Sequence, residues 1–261
     1  MASKFLINDR PTLTAMLKPS TTEQILIEID KILEQGTDAF GFQIDMLKAE
    51  ERCEKNFKKI FNAMQNKPCY VTNYYRGNKL PITDDELVEG LCIAIQCGGV
   101  LADIPADIYD RVAGEFTEKA EAVEKQMRAV ERIHSLGGEV LMSSHVLRYA
   151  DCDEVLKIAE AHRERGADVS KIVTDANSES ELLNNLRTSV VLKERLGIPS
   201  LFLCNGTHCE RHRILGPAIG SDMFLVIENS RDGICPQPTI KRAKEMLALA
   251  GFKNLPEGAY L

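Results

Sequence analysis

The segments Gly138-Glu-Val-Leu-Met-Ser-Ser-His145 and Gly166-Ala-Asp-Val-Ser-Lys171-Ile-Val-Thr-Asp175 are two short apolar runs that each begin at a glycine. Runs of this length and composition are typical of buried parallel strands. The stretch between them, from Asp151 to Arg165, has helical spacing of its apolar residues and stops at Gly166. Together they predict one strand–helix–strand unit of a parallel sheet.

The same alternation extends along the whole chain and predicts eight strands. These strands are Leu13–Leu17, Ala39–Asp45, Cys69–Tyr75, Gly99–Ile104, Glu139–His145, Val169–Asp175, Ser200–Asn205 and Met223–Glu228. Amphipathic stretches separate them, and no linker rich in Pro, Gly or Ser divides the 261 residues. We therefore predict an α/β fold, a single-domain (β/α)8 TIM barrel over residues 1–261. The main alternative, a doubly wound open sheet, would normally have a glycine-rich turn after its first strand, and the sequence has none there.

Composition narrows the classes of partner. The chain has a net charge of −7 and 27% charged residues of mixed sign, so it lacks the basic face expected of a nucleic-acid-binding protein. No stretch approaches 18 uninterrupted apolar residues, and the N-terminus has no apolar core of a signal peptide. The eight cysteines form no CxxC pair and are expected to be reduced thiols. We expect a cytoplasmic protein without nucleic-acid or membrane partners.

Lys171 is the first candidate catalytic residue. It shares strand parity with Val169 and Val173, so all three side chains lie on one face of the predicted strand. Because a buried ammonium is costly, such a lysine can offer a neutral amine, which is a nucleophile toward ketones and aldehydes. For a lysine taken alone, an exposed strand end is the more common explanation.

His145 makes a catalytic role for Lys171 the favoured interpretation. It ends the preceding predicted strand, and the carboxyl ends of barrel strands meet at the face that carries active sites. An imidazole titrates near neutral pH and can move the protons that imine chemistry requires. Taken alone, a late-strand histidine is more often structural, but a lysine and a histidine on adjacent strands favour a shared catalytic site.

The run Ser143-Ser-His145, followed one unit later by Gly166-Ala-Asp-Val-Ser-Lys171, resembles the type I 3-dehydroquinate dehydratase family. The resemblance implies a (β/α)8 barrel, often dimeric, that dehydrates 3-dehydroquinate to 3-dehydroshikimate without a metal or an organic cofactor. It also implies that Lys171 forms a Schiff base with the keto-acid and that His145 shuttles protons. A homodimer is therefore expected.

Downstream segments extend the resemblance. The stretch from Cys204 to Gly206, followed by Arg213-Ile-Leu-Gly216, is similar to the family's segment after strand seven. By that similarity Arg213 holds the substrate carboxylate, a task that suits a planar guanidinium. The stretch from Cys235 to Pro238 is similar to a late loop that donates a glutamine, which is Gln237 here.

Other positions depart from the family pattern. The second strand of the family carries a Glu and an Arg before its aspartate, whereas this chain has Gly41 and Gln43 before Asp45. Proline stands at position 105, where a glutamate is common, and Ile234 takes the place of the late-loop serine. The polyol-recognising end of the site therefore differs, and the substrate need not be 3-dehydroquinate. Gln43 and Asp45 are still predicted to contact the substrate.

Strand three departs in the same way. Tyr74 falls where the family has an arginine, and no glutamate follows it at the family's position. Asn73 and Arg76 are predicted to replace lost substrate contacts, while a tyrosine at this point could equally pack over the barrel mouth.

Two further clusters have weaker interpretations. Cys204, His208, Cys209 and His212 include zinc-ligand types, but their spacing matches no standard zinc site and imine chemistry needs no metal. The segment from Gly216 to Ser221 lies where barrels often bind phosphate, yet it lacks a tight glycine pattern.

The sequence thus predicts a Schiff-base hydro-lyase acting on a keto-acid. A class I aldolase would use the same lysine to cleave a carbon–carbon bond. A catalytically silent metabolite-binding homologue is the third possibility, supported by the altered second and third strands.

Overall fold

A computed structural model describes residues 3–18, 20–77, 81–229 and 237–258. In these ranges, eight parallel strands alternate with eight α-helices. The strands are β1 (Thr12–Leu17), β2 (Ala39–Gln43), β3 (Cys69–Thr72), β4 (Leu101–Pro105), β5 (Glu139–His145), β6 (Val169–Asp175), β7 (Ser200–Asn205) and β8 (Met223–Val226). The helices are α1 (Thr22–Gln35), α2 (Glu54–Ala63), α3 (Asp84–Gln96), α4 (Ala120–Ser135), α5 (Cys152–Glu164), α6 (Glu179–Arg195), α7 (Cys209–Ile219) and α8 (Ile240–Leu249).

Neighbouring strands pair in parallel in the order β7-β6-β5-β4-β3-β2-β1-β8. The first strand pairs with β2 on one side and with the last strand, β8, on the other, so the ring closes if β7 and β8 also meet. Between β7 and β8, the backbone N–H of Asp222 donates to the carbonyl of Ser200 at 2.8 Å, and the Asp222 carboxylate accepts from the N–H of Ser200. The predicted (β/α)8 barrel is confirmed as a nearly closed ring.

The predicted strands are all present, but some of their ends were wrong. The second and third were predicted to reach Asp45 and Tyr75, whereas 3-10 turns begin at Ile44 and Tyr75. The Asp45 carboxylate accepts from the backbone N–H of Tyr74 at 3.1 Å, which ties these two strand ends together. The chain therefore bends where both strands reach the barrel mouth.

Side chains at several helix starts satisfy the free backbone N–H groups. Thr83 and Glu86 form a reciprocal capping box at α3. Asp151 caps α5 and Ser178 caps α6, each by accepting from the N–H three residues on. These contacts explain why the helices begin where they do.

Strand alternation divides the core into two parts. One apolar cluster lies within the ring of strands, and a larger one lies between the strands and the helices. The inner cluster contains Phe5, Met16, Ala39, Tyr70, Leu101, Leu141, Val169, Val173, Leu201, Leu203, Met223 and Leu225. Because Val169 and Val173 belong to it, Lys171 between them points into the barrel.

Within the described ranges, seven cysteines are free thiols, and Cys235 lies outside those ranges. No helix in the described part of the chain is long and apolar enough to cross a membrane.

Two histidines are buried where helices pack on the outside of the barrel. His162 of α5 lies between the hydroxyls of Ser144 and Ser170, at 3.0 and 2.9 Å. His212 of α7 packs edge-on against Phe202, with ring centroids 5.3 Å apart. Burial lowers the pKa of His162 to about 3 and that of His212 to about 4.

Acid should therefore destabilise this fold before its carboxylates titrate. Both pKa values lie below the unfolded value of 6.5, so the stabilisation is complete above pH 6.5 and is lost as the pH falls toward 4 and 3. We expect each histidine to reduce the free energy of unfolding by about 1 kcal/mol between pH 7 and pH 5.5. Urea unfolding at the two pH values measures this change. The His162→Gln variant should show about half the drop, and an undiminished drop would contradict the assignment.

Candidate active site

Lys171 lies in the interior of the barrel at the level of Ser143, its partner on β5. Only 6% of the residue is exposed. The Nζ atom donates to Asp103 Oδ2 at 3.0 Å, to the Tyr74 hydroxyl at 2.6 Å and to the Tyr70 hydroxyl at 3.1 Å. An exposed strand end is therefore excluded for Lys171. The sequence pattern did not anticipate the Asp103 carboxylate, with which Lys171 forms an ion pair.

Asp103 on β4 is the counter-charge of this lysine. It is completely buried, and besides Lys171 it accepts hydrogen bonds from the hydroxyls of Ser143, Tyr70 and Tyr74. Burial alone would raise the pKa of the Asp103 carboxyl, but the Lys171 charge and the three hydroxyl donors together lower it below its usual value. Asp103 is thus a carboxylate at neutral pH.

The two tyrosines keep their protons beside this carboxylate. Burial first, and then the Asp103 charge, raise the pKa of Tyr70 and Tyr74 well above 10. Tyr70 is fully buried on β3, whereas Tyr74 is partly buried just after that strand. Lys171 therefore contacts one carboxylate and two neutral phenols.

His145, at the end of β5, is held by Glu115, which lies in the loop between β4 and α4. Its Nδ1 hydrogen-bonds to Glu115 Oε2, and its backbone N–H donates to the same oxygen at 3.2 Å. The other Glu115 oxygen forms an ion pair with Arg76. Burial would raise the pKa of Glu115, but the His145 hydrogen bond and the charges of His145 and Arg76 lower it. Glu115 is therefore ionised and orients the imidazole.

Two residues on the helix side of the strands, Ser144 and His162, fix the backbone around Glu115. Glu115 has a left-handed φ of 51° and follows Gly114, whose φ is 85°. The Ser144 hydroxyl donates to the Glu115 carbonyl at 2.8 Å, and His162 contacts that same hydroxyl. This buried hydrogen-bond chain holds the carboxylate beside His145.

A cavity of about 260 Å³ opens above Lys171. Its described lining residues are Met16, Lys18, Gln43, Tyr70, Thr72, Tyr74, His145, Lys171, Val173, Leu203, Asn205, Arg213, Leu225 and Gln237. The predicted residues Lys171, His145, Arg213, Gln237 and Gln43 are thus brought together.

Arg213 lies on α7 and is itself buried. Its Nε donates to the Cys204 carbonyl and its Nη2 to Asn205 Oδ1, both at 3.0 Å. These contacts fix the guanidinium at the cavity wall. Gln237 Oε1 is buried and, among the residues that the structure describes, finds no hydrogen-bond partner.

The other three predicted substrate contacts are placed elsewhere, and the described cavity wall does not include them. Asp45 accepts from the Tyr74 backbone, and Asn73 turns outward to donate to the Leu87 carbonyl at 3.1 Å. Arg76 is half-exposed and pairs with Glu115. Each of these side chains has a structural partner on another element, and a direct contact with the substrate stays a prediction for all three.

Next to Gly41, the wall formed by β1 and β2 is apolar, whereas Gln43 at the end of β2 brings an amide to the cavity. Met16 occupies the space next to Gly41, where an added Cβ would lie only 2.2 Å from the Met16 sulfur. A glutamate at position 41, as in the family's second strand, would collide with this side chain. A thioether therefore replaces a carboxylate on this side of the cavity.

Sequence reasoning missed Asp103 and Glu115 as functional residues. Asp103 shares strand parity with Leu101, a member of the inner cluster, so the argument used for Lys171 would have placed a carboxylate inside the barrel. Glu115 lies in an irregular loop, where no periodicity indicates the direction of its side chain.

The weaker sequence clusters gain no support. In the described ranges, no group of three or more His, Cys, Asp or Glu residues is arranged to hold a metal ion. His212 packs against Phe202 instead of turning toward Cys204 and Cys209 as a ligand set. Ile234 and Cys235 lie outside the described residues.

Lys171 shares a cavity with His145 and Arg213 in a (β/α)8 barrel, the fold in which enzymes carry their active sites at the carboxyl ends of the strands. The model of the family described as type I 3-dehydroquinase matches residues 14–253. The chain belongs to this family, whose members are hydro-lyases. A search of curated protein sequences found no significant match.

Solved structures support the same fold. The 3-dehydroquinate dehydratase of Geobacillus kaustophilus HTA426 is 16% identical, with a TM-score of 0.81 over 94% of this chain and 93% of that one. A type I enzyme from Clostridium difficile, solved with covalently modified comenic acid, is 17% identical, with a TM-score of 0.77 over 94% of each chain. The enzyme from Enterococcus faecalis is 14% identical, with a TM-score of 0.75 over 94% of this chain and 95% of that one.

The Lys171–Asp103 pair should be energetically coupled. Asp103→Asn removes the counter-charge of a buried ammonium and should lower the free energy of unfolding by about 3 kcal/mol. In the double variant with Lys171→Met, the loss should be smaller than the sum of the two single losses, because neither charge is then left alone. Urea denaturation of all four proteins measures the coupling. Strictly additive losses would show that the pair does not interact.

Proposed function

We propose that this enzyme dehydrates a cyclic keto-acid through an imine on Lys171. The observation that carries the proposal is the position of the Lys171 amine at the base of a cavity whose wall contains His145 and Arg213. An amine in this position can reach a ketone, a histidine can move protons, and an arginine can hold a carboxylate.

In the reaction, Lys171 Nζ forms a bond to the ketone carbon and the ketone oxygen leaves as water. The resulting cationic imine withdraws electrons and makes the adjacent carbon acid. His145 takes the proton from that carbon, and the electron pair forms a carbon–carbon double bond as the hydroxyl one carbon further on departs. His145 returns its proton to this hydroxyl, which leaves as water, and hydrolysis then releases the product from Lys171.

Glu115 prepares His145 for these steps. Because Glu115 engages Nδ1, the other ring nitrogen, Nε2, remains to face the cavity. An ionised Glu115 also stabilises the imidazolium that forms when His145 takes a proton. The family glutamate that follows strand three is missing in this chain, and Glu115 supplies a carboxylate from the loop after β4.

The substrate carboxylate is assigned to Arg213. Its guanidinium is fixed by Cys204 and Asn205, so binding an anion requires little further ordering. Gln237 can hold a hydroxyl of the substrate, since its buried Oε1 would accept a hydrogen bond from that group.

The positions of the hydroxyl groups on the substrate ring are not determined by Lys171, His145 and Arg213. Met16 beside Gly41 offers no hydrogen bond, so a hydroxyl pointing at these two residues would lose its water without a replacement partner. We propose that 3-dehydroquinate is a poorer substrate than a related keto-acid with fewer hydroxyls on that side.

Borohydride reduction tests the imine. Protein incubated with 3-dehydroquinate or its dehydrated product, 3-dehydroshikimate, should gain the mass of one reduced adduct, mapped by peptide mass spectrometry to Lys171. Lys171→Met, which keeps a long side chain without an amine, should gain none. An unmodified wild-type protein, or an adduct on another lysine, would exclude the proposal.

Glu115→Gln should lower kcat by about 10²-fold, because the neutral amide cannot stabilise the His145 imidazolium. Its KM should change little, since Glu115 is buried away from the substrate. Enone absorbance follows the turnover of 3-dehydroquinate. Glu118→Gln, on an exposed residue three positions on, is the matched control. A Glu115→Gln kcat equal to that of the control would remove Glu115 from the mechanism.

The two alternative functions give different results in these assays. A Schiff-base aldolase would form the adduct but release two carbon fragments, which product analysis detects. A silent homologue would bind the keto-acid without an adduct. The cytoplasmic location and the homodimer remain predictions.

A further inference from the structure

We propose that Tyr74 is a catalytic residue of imine formation, carrying protons from Lys171 Nζ to the departing ketone oxygen. This inference rests on the proposed imine at Lys171. It divides the proton transfers between two groups, with Tyr74 serving the nitrogen–oxygen exchange and His145 serving the carbon acid and the leaving hydroxyl.

The proton balance requires such a group. An ammonium and a ketone become a protonated imine and water, so the nitrogen loses two protons and the oxygen gains two. The net charge stays at +1 throughout, and no outside acid or base is consumed. What the site must supply is a path for two protons from Nζ to an oxygen attached to the adjacent carbon.

Tyr74 is placed on that path. Its hydroxyl is 2.6 Å from Nζ, the shortest of the three contacts that the structure describes for this atom, and its side chain lines the cavity. Tyr70 also contacts Nζ and also lines the cavity, but it is completely buried and its hydroxyl is further from Nζ, at 3.1 Å. Of the two phenols, Tyr74 is therefore the better placed to contact both Nζ and an oxygen in the cavity, because its hydroxyl is closer to Nζ and its side chain is only partly buried.

A hydroxyl can pass a proton without becoming a phenolate. The Tyr74 oxygen takes a proton from Nζ while its own proton moves to the substrate oxygen, so the phenol is restored in each exchange. The raised pKa of Tyr74 is compatible with this exchange, because no charged phenolate accumulates. Repeating the exchange converts the ketone oxygen first to the carbinolamine hydroxyl and then to water.

Asp103 permits the Tyr74 hydroxyl to leave its resting hydrogen bond. When Tyr74 turns to the substrate, the carboxylate keeps Lys171, Ser143 and Tyr70 as donors. The positive charge on nitrogen persists from ammonium to imine, so Asp103 stays paired with it and does not need to take a proton itself.

His145 is less well placed for the same exchange. Within the described part of the chain, its ring hydrogen-bonds to Glu115, and no hydrogen bond joins it to Nζ. The Tyr74 ring stands edge-on to the imidazole, with centroids 5.8 Å apart. The two groups thus flank the cavity side by side, and each can serve a different atom of the substrate.

The test measures imine formation separately from turnover. Wild-type, Tyr74→Phe and Tyr70→Phe proteins are mixed with 3-dehydroshikimate and quenched with borohydride at increasing times. We expect Tyr74→Phe to form the Lys171 adduct at least about 100-fold more slowly but to the same final yield. Tyr70→Phe, which also removes one donor from Asp103, should slow it by less than about 10-fold. Exchange of the ketone oxygen with ¹⁸O-labelled water should follow the same order.

A conservative replacement guards against a purely structural effect. With 3-fluorotyrosine at position 74, which restores the hydroxyl, the rate should return to within about 10-fold of wild type. A Tyr74→Phe rate within threefold of wild type, or no rescue by 3-fluorotyrosine, would overturn the role of Tyr74 alone. A wild-type protein that forms no adduct would overturn the imine itself, so the two failures are distinguishable.

Discussion

A buried ammonium at Lys171 constrains the centre of this barrel, because a charge removed from water must find a partner of opposite sign. Asp103 is that partner, and it is buried even more completely than the lysine. The carboxylate in turn needs donors, which Ser143, Tyr70 and Tyr74 provide. The polar cluster inside the barrel follows from this single pair.

The Lys171–Asp103 ion pair is compatible with imine formation by this lysine. A lysine that is simply desolvated would be neutral and nucleophilic at rest. In the proposed mechanism the charge passes from the ammonium to the protonated imine, so the Asp103 countercharge serves both states. What the site then needs is a short path for protons, and phenol hydroxyls in contact with Nζ are suited to it.

Around the Lys171–Asp103 pair, several side chains differ from those that the family has at the same places. The carboxylate that orients the histidine comes from the loop after β4, and its carbonyl is held by Ser144 from outside the barrel. A tyrosine replaces an arginine after β3, and a methionine fills the space of a glutamate beside Gly41. The side around Arg213, where we propose that the substrate carboxylate binds, resembles the family pattern. The proposed change in substrate follows from these differences.

The sequence by itself determined the barrel, because eight alternating apolar runs report the period of strands and helices directly. It also determined the inward direction of Lys171, since parity with Val169 and Val173 is a property of the strand alone. Only the tertiary structure decided which groups meet this lysine. Asp103 and Tyr70 come from other strands, and their contact with Nζ depends on stagger within the closed ring. Glu115 and the outward turn of Asn73 depend on irregular backbone after strand ends, where no period relates residue number to direction.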